Sequence, residues 1–599
     1  MAEIQNPNQQ GPGGGRDSNS LLLFSALFLV VFLGLQYFRS QGARKDAPAA
    51  QSQSQSQIQS QSQSQQQGPP QGGGQAGVAG SSAAAVEAGA EQPIVVETEL
   101  YRVTFSNRGG QATSWILKKY KDDQGRPLDL VNRAGAQAYG YPLSIYSYDP
   151  GLRSRLAGAL YVATVDGGSA PARVIGPATL KFVYAAGGLN VTKMFTFDAT
   201  YVMHASVSVT QNGAPMNAQL AWPSGLGDQT TLPQYAGGMV DTELDGKAEQ
   251  IAAKKVSGGA TQQGRYGWAG VSDLYFAAVF LPDHPERAQL VTLHHTVDVA
   301  RNPKKPTGET DKASVLGAAV GDTAGPLETR IFVGPKALGV LSAVHGADGG
   351  ASLEKVVSFG WWAVVSKPLF LLLHWLHDHV VSNWGWAILI LTLILNVIML
   401  PTRVMMMRSS LKMQRIQPQM DAIKARYAKY KATDPKRQEM NKEVFDLQKR
   451  EGVNMFGGCL PMLLQWPLLF GFYRMLSNVI ELRQAHWLWL PDLASPDPLH
   501  ILPIFFIISM FAVQYLTPSP GVDPQQQKMM AFTMPAVFGF MTWNIGSGLA
   551  LYWACSNILG IVQQTVMNRT SLGREMRAIA AKRAAKKAGV SGKVINARR

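Results

Sequence analysis

The run WAILILTLILNVIMLPTR, Trp386 to Arg403, is apolar almost throughout, and its few polar groups share one stripe. Thr392 stands four residues before Asn396 and Arg403 seven after it, spacings that return to one face of an α-helix. An amide in hydrocarbon costs several kcal/mol unless it finds a partner or water. The chemistry open to such a stripe is solvation. It can hydrogen-bond a polar group passing through apolar surroundings, and Arg403 can add a cation by reaching inward. The alternative use is interhelical hydrogen-bond glue between neighbouring spans.

Other residues invite chemistry less. His374, His377 and His379 lie in SLEKVVSFGWWAVVSKPLFLLLHWLHDHVV. His374 and His377 have helical ligand spacing, but His379 does not and no cysteine is near, so no metal site is expected. His294 and His295 are adjacent and would point to opposite sides of a strand, as packing or surface residues. Cys459 and Cys555 sit in apolar windows as packing residues, with no disulfide framework. The chain has no GxxxxGK[ST] loop, HExxH or GxSxG, so no cofactor and no enzyme activity are expected.

The elements that must position the stripe are spans. Windows at 21–38, 384–402, 456–479, 501–517, 529–546 and 549–567 are long enough to cross a bilayer. They carry more polar groups than lipid-facing helices tolerate. Candidates to line a polar groove are Thr392, Asn396, Arg403, Gln465, Gln514, Asn544, Ser556 and Asn557; Thr533, Thr542, Gln563 and Gln564 are further polar groups in these windows. Residues 352–381 hold Lys367 and Pro368 centrally and Trp361, Trp362 and Trp375, and are read as an amphipathic helix on the membrane surface.

Charge orients the spans. Residues 403–455 hold 13 Lys and Arg against 6 Asp and Glu, a net +7, and residues 567–599 hold ten against Glu575 alone, a net +9. Together they exceed the whole-chain net charge of +15. Four spans separate them, so both lie on the cytoplasmic side, with the N-terminus (1–20) and C-terminal tail (568–599). Arg16, Arg39, Arg44 and Lys45 around the first span favour the opposite orientation locally, but the later clusters are larger. The loops 480–500 and 518–528 then fall outside and inside. Within 403–455, Ile416, Met420, Ile423 and Tyr427 recur at helical intervals, as do Met440, Val444 and Leu447, which predicts a helical hairpin.

Residues 39–94 form a Gln/Ser/Gly-rich linker with no core-forming composition. From 95 to 350 alternation returns, as in VMHASVSVT and VTKMFTF, with Gly-rich breaks. This reads as a periplasmic antiparallel β-sandwich.

Three runs carry a resemblance. GVNMFGGCLPMLLQWPLLFGFYRML from Gly452, DPQQQKMMAFTMPAVFGF from Asp523 and SGLALYWACSNILGIVQQTVMNR from Ser547 closely resemble the third, fifth and last span regions of the YidC/Oxa1/Alb3 membrane protein insertases. Anchor, β domain and five-span core together resemble the Gram-negative YidC form. The resemblance implies an inner-membrane insertase and chaperone for newly made membrane proteins, acting alone or with the Sec translocon. It implies a groove open to cytoplasm and lipid but closed outside, a hairpin that captures substrate and a tail that contacts the ribosome. Arg415, Lys424, Arg426, Lys436, Arg437, Lys582, Arg583, Lys586 and Lys587 are the candidates for ribosome or substrate capture; anionic lipid is a further partner and DNA is not. Many bacterial members have an arginine where this chain has Asn396, so the groove is expected to be neutral there, with Arg403 supplying charge near its mouth.

A small-solute transporter would explain intramembrane polar groups but not the basic hairpin and tail, and no inverted repeats are visible. A sugar-binding envelope protein acting through the β domain would not need five further spans.

Overall fold

The computed structural model describes residues 85–217, 219–301, 308–430, 434–453, 460–516, 524–579 and 581–582. The expected anchor at 21–38 and most of the linker lie outside them. The chain forms two compact units, one β-rich and one helical.

Among the described residues the β unit holds sheets of eleven, five and five strands, antiparallel except where Val95–Glu97 runs parallel to Arg173–Ile175. The unit begins earlier than position 95: Val86 bridges Ala185, and the first strand is Pro93–Glu97. Strand β1 (Ala178–Ala186) pairs with β2 (Leu189–Phe197), and β2 with β3 (Val202–Gln211) along their full lengths. Alternate side chains enter the core, as period-two patterning requires. Phe105 packs against Phe182, Phe195 and Phe197, and Trp115 against Trp222. Lys193 occupies an inward position of β2 and is fully buried. Its ammonium donates to the carbonyls of Gly109, Gly110 and Leu143 at 3.0, 2.6 and 2.6 Å. Three donors meet three acceptors, so the charge is solvated by backbone.

Strands β4 (Ala288–Ala300) and β5 (Thr310–Asp322) pair over thirteen residues. His294 and His295 face opposite ways on β4. The first meets the Val256 carbonyl and Ser314 Oγ, and the second stacks on Tyr139 at 4.1 Å. Burial, with His294 and Arg153 nearby, pushes the His295 pKa down.

The helical unit comprises α1 (Ala363–His379), α2 (Trp384–Ile398), α3 (Leu400–Arg426), α4 (Lys436–Arg450), α5 (Leu460–Asn478), α6 (Ile501–Leu516), α7 (Pro524–Thr542) and α8 (Ser547–Arg569), followed by a helical segment at 571–579. Among the described residues no single helix is long and apolar enough to cross a membrane; α2 and α3 pass that test together, bent by 46°. Within the expected span at 384–402 the first helix thus ends at Ile398, and after the bend at Met399 the following helix begins at Leu400 and runs on through the first arm of the hairpin. Pro401 lacks an N–H and suits a first turn, which is why the break falls there. Helix α7 begins at Pro524, inside the loop expected at 518–528.

This unit has an apolar core, with Ile388, Leu391, Phe472 and Phe506 buried, but it also exposes large apolar side chains and buries polar ones. Trp361, Val364, Trp375, Val397, Ile508, Phe532, Phe540, Val562 and Val566 are exposed, while Thr392, Asn396, Ser509, Thr542 and Ser547 are buried. The exposed row on α1 leaves Leu369, Phe370, Leu373 and Leu376 to pack inward, and Ser366 Oγ donates to the Gly471 carbonyl of α5 at 2.8 Å. The three histidines of α1 have other partners: His374 faces Glu481 at 3.3 Å, His377 stacks on Trp384, and His379 stacks on Trp375.

Candidate functional site: a polar cluster at one end of the helical unit

One end of the unit is sealed by residues 480–500. Asn383 Nδ2 donates to the His486 carbonyl, and Trp487 packs on Trp386. Asp497 caps α6 through the Leu502 N–H at 2.8 Å. Ser547 Oγ donates to the Asp492 carbonyl, and the Gly548 N–H to that of Leu493, both at 2.8 Å. The starts of α2, α6 and α8 and the ends of α5 and α7 are gathered at this end. The opposite ends of these five helices, with the hairpin and the segment 571–579, lie away from the seal.

Towards that opposite end α2 carries the polar stripe. Thr392 Oγ1 donates to the Ile388 carbonyl at 2.7 Å, and Asn396 Nδ2 to the Thr392 carbonyl at 2.9 Å. Both are satisfied within the helix. This leaves Asn396 Oδ1 as an acceptor, and Arg403 Nη2 reaches it at 3.3 Å across the bend at Met399. The bend does not separate the two side chains; it folds Arg403 back over the end of α2. Gln563 of α8 donates through Nε2 to the Asn396 carbonyl at 3.4 Å.

Arg403 is half-buried. The ion pairs of this unit include His374–Glu481, His377–Asp378, Arg415–Glu575, Arg426–Glu443 and Lys436–Glu439, and Arg403 is in none of these. The five apolar windows from 384 to 567 contain no Asp or Glu. A partly desolvated guanidinium held by an amide alone keeps most of its five donors for an incoming acceptor. Gln563 Oε1 on α8 is also buried without a hydrogen-bond partner among the described residues.

The other expected groove residues fall in several places. Asn557 Nδ2 donates to Ser509 Oγ at 3.0 Å, tying α8 to α6. Gln514 is half-buried on α6; Asn544 is exposed beyond the end of α7, in the turn leading to Ser547. Gln465 lies on α5, and its side chain is outside the described ones. The structure therefore brings Thr392, Asn396 and Arg403 together, adds Gln563, and sets Asn544 apart. Gln563 follows Ser556 by seven residues, the same spacing that links Asn396 to Arg403.

The hairpin closes on its predicted faces. Ile416, Met420 and Ile423 of α3 meet Met440 and Leu447 of α4, with Tyr427 and Val444 at the edge. Its basic residues are partly engaged: Arg415 with Glu575, Arg426 with Glu443, Lys436 with Glu439, and Arg437 with the Tyr430 carbonyl. Lys424 and Lys582 are exposed. Arg583, Lys586 and Lys587 lie outside the described residues.

A helical unit that exposes large apolar side chains and buries a cluster of polar ones within its apolar core, joined in one chain to a large β-sandwich, is the pattern of a membrane protein with a substantial extramembrane domain. Known proteins have the same two parts. Residues 93–372 match the YidC periplasmic domain family and residues 375–574 the family described as 60Kd inner membrane protein. The membrane protein insertase YidC of Ralstonia nicotianae is 33% identical over 510 residues, 82% of this chain and 86% of that protein. That of Cupriavidus necator is 32% identical over 527 residues, 84% and 88% of the two chains. Among solved structures, an active YidC insertase with its first transmembrane domain resolved is similar at 18% identity and a TM-score of 0.34, covering 81% of this chain and 95% of that one. The chain belongs to the YidC family of membrane protein insertases.

Proposed function

We infer that the protein inserts newly made integral membrane proteins into the bacterial inner membrane and assists their folding. It acts as an insertase rather than an enzyme. Hydrophobic segments enter from the open end of the helical unit and slide into lipid, while their polar flanks are held by the cluster at the bend between α2 and α3. The single observation that carries this mechanism is Arg403 bonded to Asn396 with no carboxylate partner. Asn396 offers hydrogen bonds but no charge, so Arg403 is the group that attracts acidic flanks. Thr392, Gln514, Gln563, Ser556 and Asn557 keep the groove polar, with Gln465 contributing from α5.

In this reading there are six spans, with both termini in the cytoplasm and the β unit in the periplasm. The net charges of +7 and +9 on residues 403–455 and 567–599 support that orientation. The hairpin and tail receive substrate from the ribosome and rest near anionic lipid, and the Sec translocon shares part of the substrate load. The β-sandwich is not the seat of activity, and solute transport lacks a repeat architecture to support it.

The test is insertion of a single-span protein, made cell-free, into liposomes holding the purified chain, scored by protease protection. Arg403→Gln should lower insertion of substrates with acidic flanks and spare those with neutral flanks. Asn396→Leu should lower both. Equal loss for the two flank types with Arg403→Gln would refute the charge role while leaving the insertase reading intact.

A further inference from the structure

Beyond Arg569 the chain turns back on itself. The Gly573 N–H approaches Thr570 Oγ1, and a Cβ at Gly573 would lie 2.4 Å from the Met567 carbonyl oxygen, so the turn has no room for a side chain. The following segment, 571–579, is helical and lies on the base of the hairpin. Met576 is buried with Met407 and Leu411 of α3, and Met567, Leu572 and Ile579 surround them. Glu575 accepts a hydrogen bond from Arg415 Nε at 3.0 Å. Glu575 is the only acidic residue among 567–599, against ten Lys and Arg. The one carboxylate of the tail thus stands where it meets α3.

The contact sets two basic rows side by side. Arg408, Lys412 and Arg415 recur at four- and three-residue steps, an exposed stripe beside the buried Met407 and Leu411. On the docked segment Arg574 and Arg577 flank the Glu575–Met576 pair and are exposed, and Lys582 follows, also exposed. The joint between Arg415 and Glu575 therefore unites the rows, and Met576 holds them there without spending a basic residue.

We propose that the hairpin base and the first helix of the tail form one preassembled surface for the phosphate backbone of a folded RNA, rather than two independent electrostatic tethers. The proposal rests on the ribosome contact inferred above and deepens it. Charges fixed in register act on one rigid partner together, whereas a loose tail must be ordered at each encounter.

The two arrangements are separated by Glu575→Arg. This substitution raises the net charge by two, so independent tethers predict tighter binding to a polyanion. A docked surface predicts the reverse, because the joint to Arg415 becomes a repulsion. Binding of purified ribosomes to the full chain in neutral-lipid nanodiscs should weaken on the order of tenfold in Glu575→Arg. The swap Arg415→Glu with Glu575→Arg, which leaves net charge unchanged, should restore it. Equal or tighter binding by Glu575→Arg overturns the proposal. So does a loss confined to anionic vesicles with ribosome binding unchanged, which would assign the surface to lipid. Absence of ribosome binding by the unaltered chain would remove the underlying ribosome reading as well, a result distinct from either.

Discussion

The two units of this chain both bury an apolar core but differ in what they show to their surroundings. In the β unit the aromatic residues Phe105, Trp115, Phe182, Phe195 and Trp222 fill the interior and the strand faces outside are polar. In the helical unit Ile508, Phe532, Phe540 and Val562 face outward, and Thr392, Asn396, Ser509 and Thr542 face inward. Hydrophobic burial alone would not produce the second pattern in water, where contiguous apolar faces invite association. It is the pattern expected when the surroundings are hydrocarbon and the polar groups must find partners or water inside. Each unit also withdraws a basic residue from its surroundings, Lys193 wholly and Arg403 in part, and the difference is instructive. Lys193 has three carbonyls for three donors and is closed to anything else. Arg403 has one amide and donors to spare. The first cation is structural and the second is available.

The largest effect should come from removing the structural cation. Lys193→Met leaves three buried carbonyls without donors, at about 1–3 kcal/mol each before relaxation. Destabilisation of the β unit by about 3 kcal/mol or more is expected, measured as the loss in its thermal or denaturant unfolding. A pH dependence accompanies it. Burial lowers the Lys193 pKa to about 7, while an unfolded lysine titrates near 10.4, as a rough reference. Between those values the unfolded chain binds the extra proton, so stability should rise with pH from about 7 to about 9. In Lys193→Met that rise should disappear. A variant as stable as the parent would show that the three carbonyls are solvated some other way.

Next in size is a direct test of the outward apolar face of the helical unit. Ile508 on α6 is 62% exposed and Ile175 in the β unit is 75% exposed. Facing lipid, Ile508→Lys should cost about 3 kcal/mol, the penalty of a lysine at mid-helix in a bilayer. Ile175→Lys, facing water, should change stability by no more than about 0.5 kcal/mol. Folded yield in membranes and unfolding in nanodiscs read out the pair. Equal tolerance of the two lysines would break the comparison and return the helical unit to water.

Much of this division was legible from residue spacing. Period-two alternation marked β2 and β3, and the rows at Ile416–Tyr427 and Met440–Leu447 marked the two arms of the hairpin, because side-chain direction follows directly from helix and strand periods. Asn396 and Arg403 were legible as a pair for the same reason. The break at Met399 was less so: Pro401 announces a disturbance, but whether it swings Arg403 away or folds it back depends on packing against α8. Asn544 looked like a groove residue because it stands in an apolar window. It falls outside because α7 stops at Thr542, an end set by the turn into Ser547 and its bonds to the loop 492–495. Lys193 shares the inward row of Leu189, Val191, Phe195 and Phe197, so its burial follows from alternation, but its carbonyl partners come from 50 to 84 residues away.

The smallest effects separate two uses of glycine. Gly385 opens α2, and a Cβ there would lie 2.2 Å from Trp487 Cδ1 and 2.3 Å from its Cγ. No positive φ marks its backbone, so the glycine is needed for space alone: it lets the Trp487 side chain approach the start of α2. Gly385→Ala must push that ring out, an overpacking cost of about 1–3 kcal/mol. Gly213 of the β unit is the converse. Nothing lies within 4 Å of its would-be Cβ, but its φ is +82°, a conformation that costs an L-residue roughly 1–2 kcal/mol. Gly213→Ala should therefore destabilise by about 1 kcal/mol and alter no neighbour. Gly385→Ala should destabilise comparably or more and also change Trp487, read as a red-shifted, more quenchable fluorescence with the other tryptophans replaced by phenylalanine. If Trp487 is unmoved in Gly385→Ala, the seal is not built on this contact, and the closed end of the helical unit must be held by the Asp492, Asp497 and Ser547 hydrogen bonds instead.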